Sequence, residues 1–167
     1  STLFEVLSQS KVDPDEMVFH MNNDLNNTKT GGMFVTSIVG EYNVISDELR
    51  WVNAGHQPAI IRDSLGKYSQ VDSTAPPLGV IKHKDKNIYK INKIKLNGSR
   101  FYAFTDGLSE SFNEEGNEIG IEGSIKIIEE NYNKDSNKQL DNITKFVINT
   151  TNNKKLSDDL TVISIGK

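Results

Sequence analysis

Residues 101–107 read Phe101-Tyr102-Ala103-Phe104-Thr105-Asp106-Gly107, an apolar strand that ends on an acid and a glycine. The bulky alternating run favours a strand, and Asp-Gly then turns the chain. The acid is held at a strand end, with a rigid base and an exposed head, which suits a metal ligand or a general base. A second acidic point lies near the C-terminus, where Ser157-Asp158-Asp159-Leu160-Thr161 leads into the strand-like Thr161-Val162-Ile163-Ser164-Ile165. If the two strands are neighbours in one sheet, Asp106 and Asp158 converge. Converging carboxylates with no lysine or arginine beside them call for a cation.

Working outward, the segments before this stretch read as antiparallel sheet. A strand over Phe34–Tyr42 turns at Ser46-Asp47-Glu48 and returns through Leu49–Ala54, and Ala59–Arg62 with Tyr68–Val71 forms a second hairpin around Asp63-Ser64-Leu65-Gly66. Ile88–Leu96 alternates apolar residues with lysines, and the tight turn Asn97-Gly98-Ser99 predicts that it pairs with 101–105. Helices flank this block. Residues 2–8 have helical spacing, and Asp13-Pro14-Asp15-Glu16 reads as an N-cap, a first-turn proline and a capping-box glutamate for a helix to about Asn26. The buried face of that helix is Met17, Val18, Met21 and Leu25. Two further apolar periodicities, Ile121–Asn131 and Lys138–Thr150, predict helices after the acid, and residues 160–166 a closing strand. The pattern is an α+β domain in which helices flank an antiparallel β-sandwich.

The totals narrow the function. At 167 residues the chain reads as one domain, 1–167. It has no cysteine, which excludes disulfides, thiolate metal sites and cysteine nucleophiles, and is compatible with the cytoplasm. No apolar run approaches the ~18 residues of a membrane span. A net charge of -4, with acids and lysines interspersed, argues against a nucleic-acid partner.

Each candidate site has an ordinary reading beside its functional one. Asp-Gly is a common turn, and Asp-Asp before a strand is often a solvated cap. In Asn53-Ala54-Gly55-His56-Gln57-Pro58, His56 sits in a defined turn, as an acid, base or ligand, or as a hydrogen-bonding brace of the connection. With His20 on a helix and His83 in a lysine-rich loop, no three-ligand zinc set forms. Thr105 and Ser109 lack a histidine or lysine base at an activating spacing, so neither reads as a nucleophile. Gly31-Gly32 lacks the lysine-serine end of a phosphate-binding loop.

Five blocks then stand in a recognisable order: Met33-Phe34-Val35-Thr36, Trp51-Val52-Asn53-Ala54-Gly55-His56-Gln57-Pro58, Pro77-Leu78-Gly79, Phe104-Thr105-Asp106-Gly107-Leu108-Ser109-Glu110 and Ser157-Asp158-Asp159-Leu160-Thr161. From about residue 14 onward the chain resembles the bacterial SpoIIE-like branch of the metal-dependent type 2C (PPM) serine/threonine protein phosphatases. The resemblance implies two antiparallel sheets between helices, and a manganese or magnesium site with Asp106 and Asp158 as ligands. Gly107, Asp159 and His56 would be supporting residues. It also implies hydrolysis of phosphoserine or phosphothreonine by metal-activated water, with no side-chain nucleophile. The implied substrate is a regulatory phosphoprotein such as an anti-sigma-factor antagonist, with a sensory domain upstream.

Relatives of that branch carry a further block, Gly-Asp-x-x-Gly-His-Gly, whose acid bridges two metals. This sequence has no counterpart. Three expectations follow: the chain is part of a longer phosphatase, a ligand arrives by another route, or the domain is degenerate and serves partner binding or dimerisation. A sheet edge left unpaired would favour a homodimer.

Overall fold

The computed structural model describes residues 12–28, 32–113, 115–150 and 159–166. The predicted helix at 2–8 and the predicted ligand Asp158 lie outside them. The chain divides into two compact units, one holding residues up to His56 together with Asp72–Leu96, the other holding Gln57–Val71 and the chain from Asn97 onward.

In the first unit, helix α1 (Pro14–Asn27) packs on a three-stranded antiparallel sheet ordered β1 (Ser37–Asn43), β2 (Glu48–Ala54), β5 (Asn92–Lys95). Met17 and Val18 of the helix join Val39, Val52, Ala54, Ala75, Leu78 and Tyr89 in one core, with Met21 and Leu25 packed against it. The predicted helix face is therefore the buried one. Its start differs from the capping-box expectation. Asp13 occupies the N-cap without a side-chain capping bond, because its carboxylate accepts from Arg50 Nη1 at 3.0 Å. Glu16 faces Lys86 at 3.4 Å instead of reaching back. The first strand begins at Ser37, three residues later than the pattern implied, while Val35 makes a two-way backbone bridge with Leu78.

In the second unit the sheet order is β4 (Tyr68–Val71), β3 (Ala59–Arg62), β6 (Arg100–Phe104), β7 (Val162–Ile165), all antiparallel. All five residues of β6 are buried. Helices α3 (Gly120–Glu130) and α4 (Ser136–Thr150) lay Ile127, Ile128, Ile143 and Val147 over Ile60, Tyr102, Phe104 and Leu108. One polar knot ties α4 to this sheet. Gln139, fully buried, accepts from Arg100 Nη1 at 2.9 Å and from the Tyr102 hydroxyl at 3.0 Å, and its amide donates to the Ile128 carbonyl at 3.0 Å. The Arg100 guanidinium, 1% exposed, also donates to the carbonyls of Asn133 and Lys134. Without these acceptors a buried permanent cation would be strongly destabilising.

The hairpin predicted between 88–96 and 101–105 is a correction. Residues Lys86–Ile88 form a 3-10 turn, β5 covers only Asn92–Lys95, and β5 pairs with β2 in the register Leu49↔Ile94 while β6 lies in the other sheet. The turn itself has the backbone of a hairpin connection, with Asn97 and Gly98 both at positive φ. What redirects it is the Leu96 amide, which donates to the Asp47 carbonyl at 2.9 Å and so keeps the end of β5 on the β1–β2 turn. The fold class holds, with helices and antiparallel sheets in an α+β arrangement, and the 34–54 and 59–71 segments pair as hairpins.

Candidate metal centre

Strands β6 and β7 are neighbours in one sheet. They pair antiparallel through Phe101↔Ile165, Tyr102↔Ser164, Ala103↔Ile163 and Phe104↔Val162, which sets the C-terminal end of β6 beside the start of β7. Beyond that last pair the chain enters a one-turn helix, α2 (Asp106–Ser109). Asp106 thus opens a helical turn instead of a simple reverse turn. Asp106 is half-buried, and among the described residues no side chain or amide donates to its carboxylate.

The main chain under Asp106 is heavily braced. Its carbonyl accepts from the Glu110 amide at 2.7 Å and from the Ser109 hydroxyl at 3.3 Å. The Gln57 amide donates to that same Ser109 hydroxyl at 3.3 Å, and the Ser111 hydroxyl donates to the Gly107 carbonyl. On the facing chain the Thr105 hydroxyl donates to the Asp159 carbonyl at 2.8 Å and accepts from the Thr161 amide at 2.9 Å. The two hydroxyls dismissed as nucleophiles are straps. Their partners were not legible in the sequence, because Thr105 and Asp159 are 54 positions apart.

Gly107 lies against the same chain. A Cβ there would stand 2.5 Å from the Asp159 carbonyl oxygen, so only glycine lets α2 approach so closely. Asp159 itself is exposed. Asp106, Gly107 and Asp159 therefore share one corner, built by the β6–β7 pairing.

His56 belongs to the first unit. Its amide donates to the Oδ1 of the fully buried Asn53 at 2.9 Å, and its Nδ1 lies 3.1 Å from the Thr36 hydroxyl. Gly55 has φ +68°, and a Cβ there would strike the Pro77 ring at 2.4 Å. The block is a braced turn, in line with the hydrogen-bonding reading of His56. Of the other histidines, His20 lies 3.8 Å from Glu16 and His83 packs edge-on against Tyr89. Among the described residues no three histidines or acids cluster as a metal-binding group.

The donor type at the β6–β7 corner still fits a hard divalent cation: Asp106 offers carboxylate oxygens that no cationic side chain among the described residues neutralises. The groups beneath it are oriented by hydrogen bonds, as supporting residues of a metal site are.

Comparison with known proteins places this fold. It is that of PP2C-type phosphatase domains: the SiaA-PP2C domain of Pseudomonas aeruginosa superposes with a TM-score of 0.80 at 13% identity, over 98% of this chain and 65% of that one. The manganese-presoaked phosphatase domain of SpoIIE from Bacillus subtilis gives a TM-score of 0.62 at 18% identity, covering 98% and 71%. RsbX in complex with magnesium gives 0.64 at 18%, covering 98% and 69%. In sequence, Protein IcfG of Synechocystis sp. is 25% identical over 148 residues, 87% of this chain, and the phosphoserine phosphatase RsbP of Bacillus subtilis is 25% identical over 95 residues, 57% of it. The chain spans 23% of the length of each of these relatives. The family described as Stage II sporulation protein E (SpoIIE) matches residues 1–166, and the chain belongs to that family.

Proposed function

We propose that these residues, as one domain over 1–167, form the larger part of a manganese- or magnesium-dependent protein serine/threonine phosphatase. The substrate class is a phosphoserine- or phosphothreonine-bearing regulatory protein of the anti-sigma-factor-antagonist type, in the cytoplasm. The observation that carries the reading is the Asp106 carboxylate just past the end of β6, next to the start of β7 and with no cationic partner among the described residues, in a chain of the SpoIIE family. RsbP, a phosphoserine phosphatase by name, supports the substrate class. That no helix among the described residues is long and apolar enough to cross a membrane is compatible with the compartment.

In this reading Asp106 and Asp158 supply carboxylate oxygens to the cation. Gly107 lets the two segments close up, and Asp159 holds its neighbour in place through its own main chain. When bound, the divalent cation supplies activation of water and charge neutralisation at the phosphoryl group. The protein's task is orientation. The Ser109, Ser111 and Thr105 hydroxyls keep the backbone on both sides of the corner from relaxing when the carboxylates are drawn together against their mutual repulsion.

A second reading, a phosphatase-like domain serving partner binding or homodimerisation, is favoured by one observation: among the described residues no set of three potential ligands converges. Hydrolysis of a generic aryl phosphate separates the two. Turnover that requires manganese, stops with a chelator and is lost in Asp106→Ala is expected. Manganese-independent turnover, or turnover that survives Asp106→Ala, refutes the proposal, and no turnover at all means that these residues are not self-sufficient, leaving a part of a longer phosphatase and a binding domain to be separated by the same assay on the longer protein.

A further inference from the structure

The β6–β7 ladder ends at Phe104↔Val162, before the chain reaches either acidic residue of the corner. Past it, Thr105 continues the contact with three hydrogen bonds. Its amide donates to the Thr161 carbonyl at 3.0 Å, its hydroxyl donates to the Asp159 carbonyl at 2.8 Å, and the same hydroxyl accepts from the Thr161 amide at 2.9 Å. Thr105 is also the N-cap residue of α2. A threonine there ordinarily turns its oxygen onto an amide of the first helical turn. Here it makes no capping bond, and the hydroxyl is spent across the gap to the other chain.

Gly107 supplies the other wall. The Asp159 carbonyl lies so near the Gly107 Cα that a Cβ would sit 2.5 Å from the oxygen. That carbonyl is therefore seated between a hydroxyl and a bare Cα. The residue pinned in this way is covalently next to Asp158, and the residue that pins it is covalently next to Asp106.

We propose that Thr105 is a positioning residue of the metal site. Its hydroxyl sets the spacing between Asp106 and the main chain at Asp159, and through that spacing the affinity for the divalent cation. The inference rests on the metal-dependent reading of Asp106. The physical reason is that ligands held in place before the ion arrives bind it more tightly than ligands that must be gathered. Groups that orient ligands are typically worth about 10- to 100-fold in affinity.

Valine and serine substitutions divide the side chain into its two parts. Thr105→Val keeps the shape and removes the hydroxyl, leaving the Asp159 carbonyl against a methyl group and the Thr161 amide unpaired. Thr105→Ser keeps the hydroxyl and loses the methyl. The full-length protein is titrated with Mn2+ by calorimetry, its metal-free melting temperature is recorded, and the manganese dependence of aryl phosphate hydrolysis is measured. Thr105→Val is expected to bind Mn2+ roughly 10- to 100-fold more weakly, with turnover at saturating Mn2+ largely retained, and Thr105→Ser to bind close to wild type. A merely structural role would lower the melting temperature and leave Mn2+ affinity unchanged; that result overturns the proposal, as does a serine variant as weak as the valine one. Asp106→Asn is the reference. If it abolishes Mn2+ binding while Thr105→Val does not weaken it, the role of Thr105 fails alone. If Asp106→Asn binds Mn2+ like wild type, the metal reading fails and Thr105 with it.

Discussion

Replacing Gly107 by alanine adds one methyl group where the chain has no room for it. On the existing backbone the new Cβ would lie 2.5 Å from the Asp159 carbonyl oxygen, 2.8 Å from its carbon and 3.1 Å from the Leu160 nitrogen. All three are main-chain atoms, so no side-chain rotation relieves the overlap, and either α2 or the start of the β7 segment has to move. Backbone conformation does not oppose the change. Gly107 lies in the helical turn α2, where alanine is favoured over glycine by about 1 kcal/mol. Overpacking typically costs about 1–3 kcal/mol, and contact with rigid backbone places this case at the upper end. The net loss is then about 2 kcal/mol, which for a chain of this size lowers the melting temperature by roughly 4–8 °C. Melts followed by circular dichroism in excess chelator read this loss without any contribution from metal, and an Mn2+ titration of the same variant reads the displaced corner. An unchanged or raised melting temperature would refute the close approach on which the whole corner depends.

Two other perturbations test the surrounding fold. Gln139→Met removes the acceptor shared by Arg100 and Tyr102 and the donor to Ile128. Leaving such groups unpaired in the interior is expected to cost about 3 kcal/mol in urea unfolding, and a loss below about 1 kcal/mol would mean that the knot is not what seats α4. Burial pushes the Tyr89 and Tyr68 hydroxyls up to about 12 from an ordinary 10.0. Because the folded state holds these protons more tightly, the associated stability is intact below pH 10 and is lost as pH rises from 10 towards about 12. Tyrosinate absorbance of the folded chain should lag that of the chain unfolded in urea across this window, and coincident titration curves would contradict the burial.

Much of the corner was legible because its parts are local. The acid at the end of an apolar strand, the glycine after it and the second acid before a closing strand are each contiguous patterns. That β6 and β7 are neighbours stood only as a condition, which the ladder from Phe101↔Ile165 to Phe104↔Val162 meets. The braces were not legible. A threonine or serine beside a functional acid has the same local appearance whether it reacts, caps or straps, and only the partner distinguishes these uses. Nor did Asp13 announce that its carboxylate would leave the helix it caps for Arg50, 37 positions away.

The sequence by itself therefore determined most of the elements, the buried face of α1 and the residue types at the corner, since alternation, helical periodicity and turn chemistry are properties of neighbours along the chain. The tertiary structure decided which strand pairs with which. Residues 92–95 and 100–104, joined by a turn fit for a hairpin, lie in different sheets. Ladder hydrogen bonds are chemically alike for any strand, so the choice falls to side-chain burial and to contacts such as Leu96 on Asp47. Those contacts join residues that only the folded chain brings together.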